Sequence, residues 1–97
     1  MFYTAKCYWP GITPVDFDRV ASTRLARRTS ELGSIVYRGA ILFPEDDLML
    51  CLFDASSRAA VTEAAERARV PCERVIDSVW FPVPDGAGVD EALKPDE

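Results

Sequence analysis

Six consecutive residues, Leu48-Met49-Leu50-Cys51-Leu52-Phe53, are apolar without interruption, and they constrain the chain more than any other stretch. The run falls far short of the roughly 20 residues that a membrane-spanning helix needs. It follows directly on Pro44-Glu45-Asp46-Asp47, a polar break with room only for a hairpin connection, so it reads as a strand antiparallel to the one before it. Side chains alternate across a strand. Leu48, Leu50 and Leu52 therefore point one way, and Met49, Cys51 and Phe53 the other. A strand apolar on both sides belongs at the centre of a sheet whose two faces are both covered.

The remaining elements fall into place around it. Phe2 to Trp9 is rich in aromatic residues and reads as a first strand, stopped by Pro10-Gly11. A helix starts at Thr13-Pro14-Val15-Asp16, because Thr13 can cap, Pro14 is tolerated at the first helical position, and Asp16 suits the positive end of the dipole. Phe17, Val20, Ala21, Leu25 and Leu32 form its apolar stripe, and Gly33 supplies a left-handed stop. Ser34 to Phe43 is a second strand, with Ile35, Tyr37, Ile41 and Phe43 on one side and Val36, Arg38 and Leu42 on the other. After the apolar run comes a cap-rich turn, Asp54 to Ser57. Val61, Ala64, Ala65 and Ala68 then mark a second helix that ends near Arg69, with Pro71 enforcing the stop. Glu73 to Phe81 is the last strand.

The order βαββαβ is the ferredoxin-like split βαβ pattern, an α+β fold. Right-handed crossovers place both helices on one face of a four-stranded antiparallel sheet, with the first and third strands central. The domain is expected over 1–82, and 83–97, with Asp85, Asp90, Glu91, Asp96 and Glu97 and few large apolar residues, is expected to be a flexible acidic tail.

Helices on one side leave the other side of the third strand wet. That exposes a patch of the size that marks an interface, and self-association sheet to sheet, through Leu48, Leu50, Leu52, Val75 and Val79, is the simplest cover. With Tyr3, Ala5, Cys7 and Trp9 turned to the helices, Thr4, Lys6 and Tyr8 face the covered side, joined by Arg38 and Asp77. Polar groups scattered among apolar ones are the makeup of a small-molecule pocket. Lys6, Tyr8, Arg38 and Asp77 are thus the candidate ligand-binding residues.

A formal net charge of −5, with only a short basic group at Arg24, Arg27 and Arg28, argues against a nucleic-acid partner. The residues 1–10 lack the pattern of a signal peptide, and no apolar stretch is long enough for a membrane helix, which makes the cytosol the expected compartment. Cys7, Cys51 and Cys72 are an odd set with no CxxC and no histidine in the chain, so neither a disulfide framework nor a metal site is expected. Cys7 and Cys51 are expected to be buried within strands, and Cys72 the most accessible of the three.

Three segments carry a likeness: Tyr8-Trp9-Pro10-Gly11-Ile12-Thr13, Leu50-Cys51-Leu52-Phe53-Asp54-Ala55 and Val70-Pro71-Cys72-Glu73-Arg74-Val75. The chain resembles, over about residues 2–82, a small bacterial domain-of-unknown-function family that includes an actinobacterial nickel-binding protein. The resemblance implies a ferredoxin-like dimer of the dimeric α+β barrel type, its two sheets packed into a barrel-like core that in some members holds a metal or small ligand. Members of that family often carry an acid in the first strand and a histidine in the second helix. Here those places hold Lys6 and the stretch Thr62-Glu63-Ala64. Nickel favours imidazole nitrogen, and an ammonium where an acid would sit repels a cation, so the family's metal does not carry over.

Three functional readings follow. The first is a cytosolic homodimeric binding or accessory protein that holds a small, anionic ligand between its sheets and needs no cofactor. The second is a cofactor-free enzyme of the dimeric α+β barrel type, a monooxygenase, isomerase or cyclase, in which Asp77 or Glu73 would abstract a proton and Tyr37 or Tyr8 would orient the substrate. The third is a structural partner that pairs with another protein through the same face.

Overall fold

The computed structural model describes residues 1–84 of the 97. Four strands, β1 (Phe2–Tyr8), β2 (Ile35–Phe43), β3 (Leu48–Ala55) and β4 (Cys72–Ser78), form one antiparallel sheet in the order β2-β3-β1-β4. The apolar run is central, as its two apolar sides require, and β1 is the other central strand. This is the ferredoxin-like arrangement. The acidic segment expected over 83–97 lies, apart from Val83 and Pro84, outside the described residues.

The first helical run, 14–32, consists of α1 (Pro14–Val20), a π-helical turn (Ala21–Leu25) and α2 (Ala26–Leu32). Its cap is the expected one: the Thr13 hydroxyl accepts from the Asp16 N–H at 3.1 Å, and Pro14 occupies the first turn. Gly33 closes the run at φ 71°, a conformation that costs glycine nothing. The other helix, α3 (Arg58–Arg67), is capped by Ser57, whose hydroxyl accepts from the Ala60 N–H at 3.1 Å. Between β2 and β3 a short 3₁₀ turn (Pro44–Asp46) leads to Asp47 at φ 52°. The Asp47 carboxylate accepts from the Gly11 N–H at 3.1 Å, and its carbonyl accepts from the Trp9 N–H at 2.8 Å, which ties the hairpin to the turn after β1.

One face of the sheet forms the core. Tyr3, Ala5 and Cys7 of β1 and Met49, Cys51 and Phe53 of β3 are buried there against Phe17 and Leu25 of the first helical run and Val61, Ala64 and Ala68 around α3. Every other residue of β3 is buried and the intervening ones are half-exposed. Leu48, Leu50 and Leu52 thus sit on the face away from the helices.

Two β-bulges alter the alternation expected from the sequence. The first lies between Tyr37 and Gly39, where the register with β3 slips by one residue and Gly39 takes φ 131°. Arg38 and Gly39 consequently share the open face, and every later residue of β2 is turned over. Ile41 pairs with Leu50 and Phe43 with Leu48, so both lie on the open face, 61% and 38% exposed, while Leu42 packs on the core. Strict alternation had placed Ile41 and Phe43 with Ile35 and Tyr37. The second bulge lies between Lys6 and Cys7 against β4. It leaves Glu73 without a partner in the ladder and sets Cys72 opposite Cys7.

The last strand also stops earlier than the expected Phe81. Val79 to Pro84 carry no regular structure, and Val79, Trp80, Phe81 and Val83 are all exposed. Among the described residues no helix is long and apolar enough to cross a membrane.

Candidate functional site

The open face carries a concavity in which a cation, hydroxyls, an indole and apolar side chains converge. Leu50 and Leu52 of β3 and Thr4 of β1 form its floor, Arg38 and Ile41 of β2 one wall, and Ser78, Val79 and Trp80 the other. Its volume is about 490 Å³. β4 and β2 are opposite edges of the sheet, and Trp80, two residues beyond the end of β4, borders this space together with Arg38 of β2. Trp80 also borders an adjoining hollow with Phe2, Arg38 and Leu52. The bulge matters here, since it aims Arg38 at this face and puts a residue without a side chain beside it. A methyl group built at Gly39 would meet no atom within 4 Å, so the space there is open.

The hydrogen bonds show which polar groups are free to meet a ligand. Ser78 Oγ lies 2.7 Å from Thr4 Oγ1 and donates its own proton to the Ile76 carbonyl at 3.0 Å. Thr4 must therefore be the donor in the pair. Both hydroxyl protons are used within the protein, and these groups offer a ligand lone pairs rather than donors. Arg38 is different. Its side chain is 53% exposed and approaches Asp54 only at 3.8 Å, whereas the Met1 ammonium holds the same carboxylate at 3.0 Å. That hydrogen bond, with the Arg38 charge behind it, holds the Asp54 carboxyl below its usual range. Among the described residues the Arg38 side chain makes no hydrogen bond shorter than its 3.8 Å contact with Asp54, so its five donors face the concavity.

The other expected ligand residues do not join Arg38. Lys6 lies on the open face but nearer β4, paired with Leu50 and Arg74 in the ladder and 4.0 Å from Glu73. Tyr8, at the end of β1, is exposed and borders no part of the concavity. Asp77 is on the wrong face: it pairs with buried Tyr3, and its carboxylate accepts at 2.6 Å from Arg58 at the start of α3. Val75 is corrected in the same way, because it pairs with buried Ala5 and packs on the core rather than on the open face. Val79 lies beyond β4 and borders the concavity. Ile41, Ser78 and Trp80 were missed as site residues, although counting by twos from Ile76 along β4 leads through Ser78 to Trp80.

The helix side of β2 has a second hollow, of about 440 Å³, bordered by Asp18, Ser22 and Tyr37 beneath the π-helical turn. Burial pushes the Tyr37 hydroxyl well up from its ordinary value, so it is a neutral hydrogen-bonding group there. Among the described residues no set of three histidine, cysteine or acidic side chains is disposed to hold a metal ion.

No family model matches the chain, and no curated protein matches it significantly. Among solved structures, that of SCO4226 from Streptomyces coelicolor A3(2) is similar, with a TM-score of 0.71 and 19% sequence identity over 84% of this chain and 100% of that one. At that identity the likeness is one of fold.

Proposed function

We propose that the chain is a small homodimeric binding or accessory protein: two copies meet through their open sheet faces, and the space between Arg38 and Trp80 takes a small organic anion. One observation carries the reading. A half-exposed guanidinium whose one carboxylate contact among the described residues is long stands beside an indole over an apolar floor. Guanidinium supplies planar, bidentate recognition of a carboxylate, and the indole supplies a face for a flat ligand body. The second copy is supported by apolar exposure on the same face, at Ile41, Phe43 and Trp80 together with the half-exposed Leu48, Leu50 and Leu52. Covering them shields the ion pair from water and strengthens it.

The catalytic alternative needs a general base in this space, and among the described residues no carboxylate borders it; Asp77 is paired with Arg58 on the other face. Binding is therefore the reading the geometry favours. Benzoate, titrated into ¹⁵N-labelled protein, is expected to shift the Arg38 side-chain, Leu52 amide and Trp80 indole signals saturably. Arg38→Ala should remove that response without altering the remainder of the spectrum. Shifts that do not saturate, or that survive in Arg38→Ala, would refute the assignment.

A further inference from the structure

The three cysteines, scattered in sequence, are brought together by the ladder. Cys7 lies directly opposite Cys72 on β1 and β4, and Cys51 of β3 is paired with Ala5, one diagonal step from Cys7 on the same face. The bulge at Lys6 and Cys7 causes this. Under plain alternation Cys72 would share a face with Arg74, which stands opposite Lys6; the extra residue turns it onto the core with Cys7. Cys7 and Cys51 are fully buried, Cys72 is half-buried, and all three are free thiols.

The register discriminates among the possible bonds. Residues directly opposed in an antiparallel pair have Cα atoms about 4.5–5.5 Å apart, inside the range a disulfide spans. Cys7 and Cys51 are diagonal neighbours, roughly 7–8 Å apart, at or beyond the limit of about 7 Å. Cys51 and Cys72 stand on strands separated by β1, roughly 9–10 Å apart. By these spacings the directly opposed pair, Cys7 and Cys72, closes with the least movement of the backbone.

We infer that Cys7 and Cys72 form a cross-strand disulfide on exposure to a peroxide, leaving Cys51 a thiol. The half-buried Cys72 is the sulfur that peroxide reaches. Its thiol gives up a proton, the thiolate attacks one peroxide oxygen, the O–O bond breaks, and the departing hydroxide takes up that proton and leaves as water, giving a sulfenic acid. The Cys7 sulfur then attacks the Cys72 sulfur and expels the hydroxyl as a second water. Two thiols are oxidised by two electrons in all, and one hydrogen peroxide is reduced to two waters. The bond would join the edge strand β4 to the central β1 near the start of β4. The Cys7 thiol is pushed up to about 12, first by the Cys51 thiol and then by burial, partly offset by Cys72. Cys72 is pushed up by Cys7 and by burial. Few thiolates are present at neutral pH, so the reaction is slow there.

The full chain is treated with excess hydrogen peroxide at pH 8, remaining thiols are alkylated with iodoacetamide in denaturant, and the unreduced digest is mapped by mass spectrometry. The expected map joins the peptides of Cys7 and Cys72 and finds Cys51 alkylated. Cys51→Ser should keep the bond, and Cys72→Ser should lose it. A bond that includes Cys51, a bond between the Cys72 residues of two chains, or Cys7 alkylated while Cys72 is over-oxidised would each overturn the inference. Because the wild-type map alone decides the pairing, a variant that fails to fold leaves the test intact.

Discussion

Replacing Ile41 by lysine tests both the bulge in β2 and the covering of the open face. The side chain is 61% exposed in the single chain. Complete burial of an isoleucine is worth about 1.5–3 kcal/mol, so covering what remains exposed contributes about 0.9–1.8 kcal/mol per chain. A twofold interface counts the residue twice. Ile41→Lys should therefore weaken self-association by about 1.8–3.7 kcal/mol, a dissociation constant raised roughly 20- to 500-fold, before the added cost of burying two ammonium groups. Sedimentation velocity over a concentration series measures this directly. The stability of the fold provides the counterpart: with Ile41 on the open face, the urea midpoint, measured at concentrations low enough for both wild type and variant to be monomeric, should change little, since surface substitutions usually stay within about 0.5 kcal/mol. Were Ile41 on the helix side, as strict alternation has it, a buried lysine would unfold the domain. A wild type that sediments as a monomer at every concentration, or a variant that dimerises as tightly as the wild type, refutes the open-face argument. A variant that fails to fold refutes the bulge.

Two further expectations concern the backbone and the thiols. Gly39→Ala should cost about 1–3 kcal/mol in urea denaturation through backbone strain alone, because φ 131° disfavours any side chain while no atom lies within 4 Å to clash with it. Stability should also fall in alkali. The Cys7 thiol is raised in the folded state, so its contribution is intact below about pH 9 and is lost as the pH rises toward 12, where the unfolded chain ionises and the native one does not. Tyr37, also raised, acts in the same direction above its ordinary value. Urea midpoints at several values between pH 8 and 11 should decline, less steeply in Cys7→Ala; a flat wild-type profile would contradict the burial of that thiol.

What the sequence conveyed about the fold was what short-range chemistry decides. Thr13, Pro14 and Gly33 bracket the first helical run because each satisfies a local backbone requirement, and Leu48 to Phe53 declared a central strand by being apolar on both sides. The faces of β2 and β4 were less legible for a different reason. One extra residue at Arg38-Gly39 inverts everything after it, and the glycine that permits the inversion also reads as a mere weakness in the strand. In β4, apolar residues fall on both sides, Val75 on one and Ile76 on the other, so period alone gives no sign, and only the pairing of Tyr3 with Asp77 decides it. Hence Asp77 and Val75 were assigned to the open face, and Arg38 reached the concavity without Lys6 or Tyr8. That β4 ends at Ser78 and that Trp80 borders the concavity are tertiary outcomes, and nothing within Val79-Trp80-Phe81 distinguishes these residues from more strand.

The π-helical turn at Ala21–Leu25 has a bearing on how this chain should be aligned with others. A wide turn holds one more residue than an α-helical turn while the flanking segments continue on the same axis, so the extra residue is absorbed locally rather than passed along the helix. Phe17 before it and Leu25 and Thr29 after it all remain turned to the core. A relative with a regular helix would then show a single-residue gap somewhere in 21–25 while keeping both anchors. Gaps inside a helix are ordinarily penalised as errors, but here one marks where two homologous helices come back into phase.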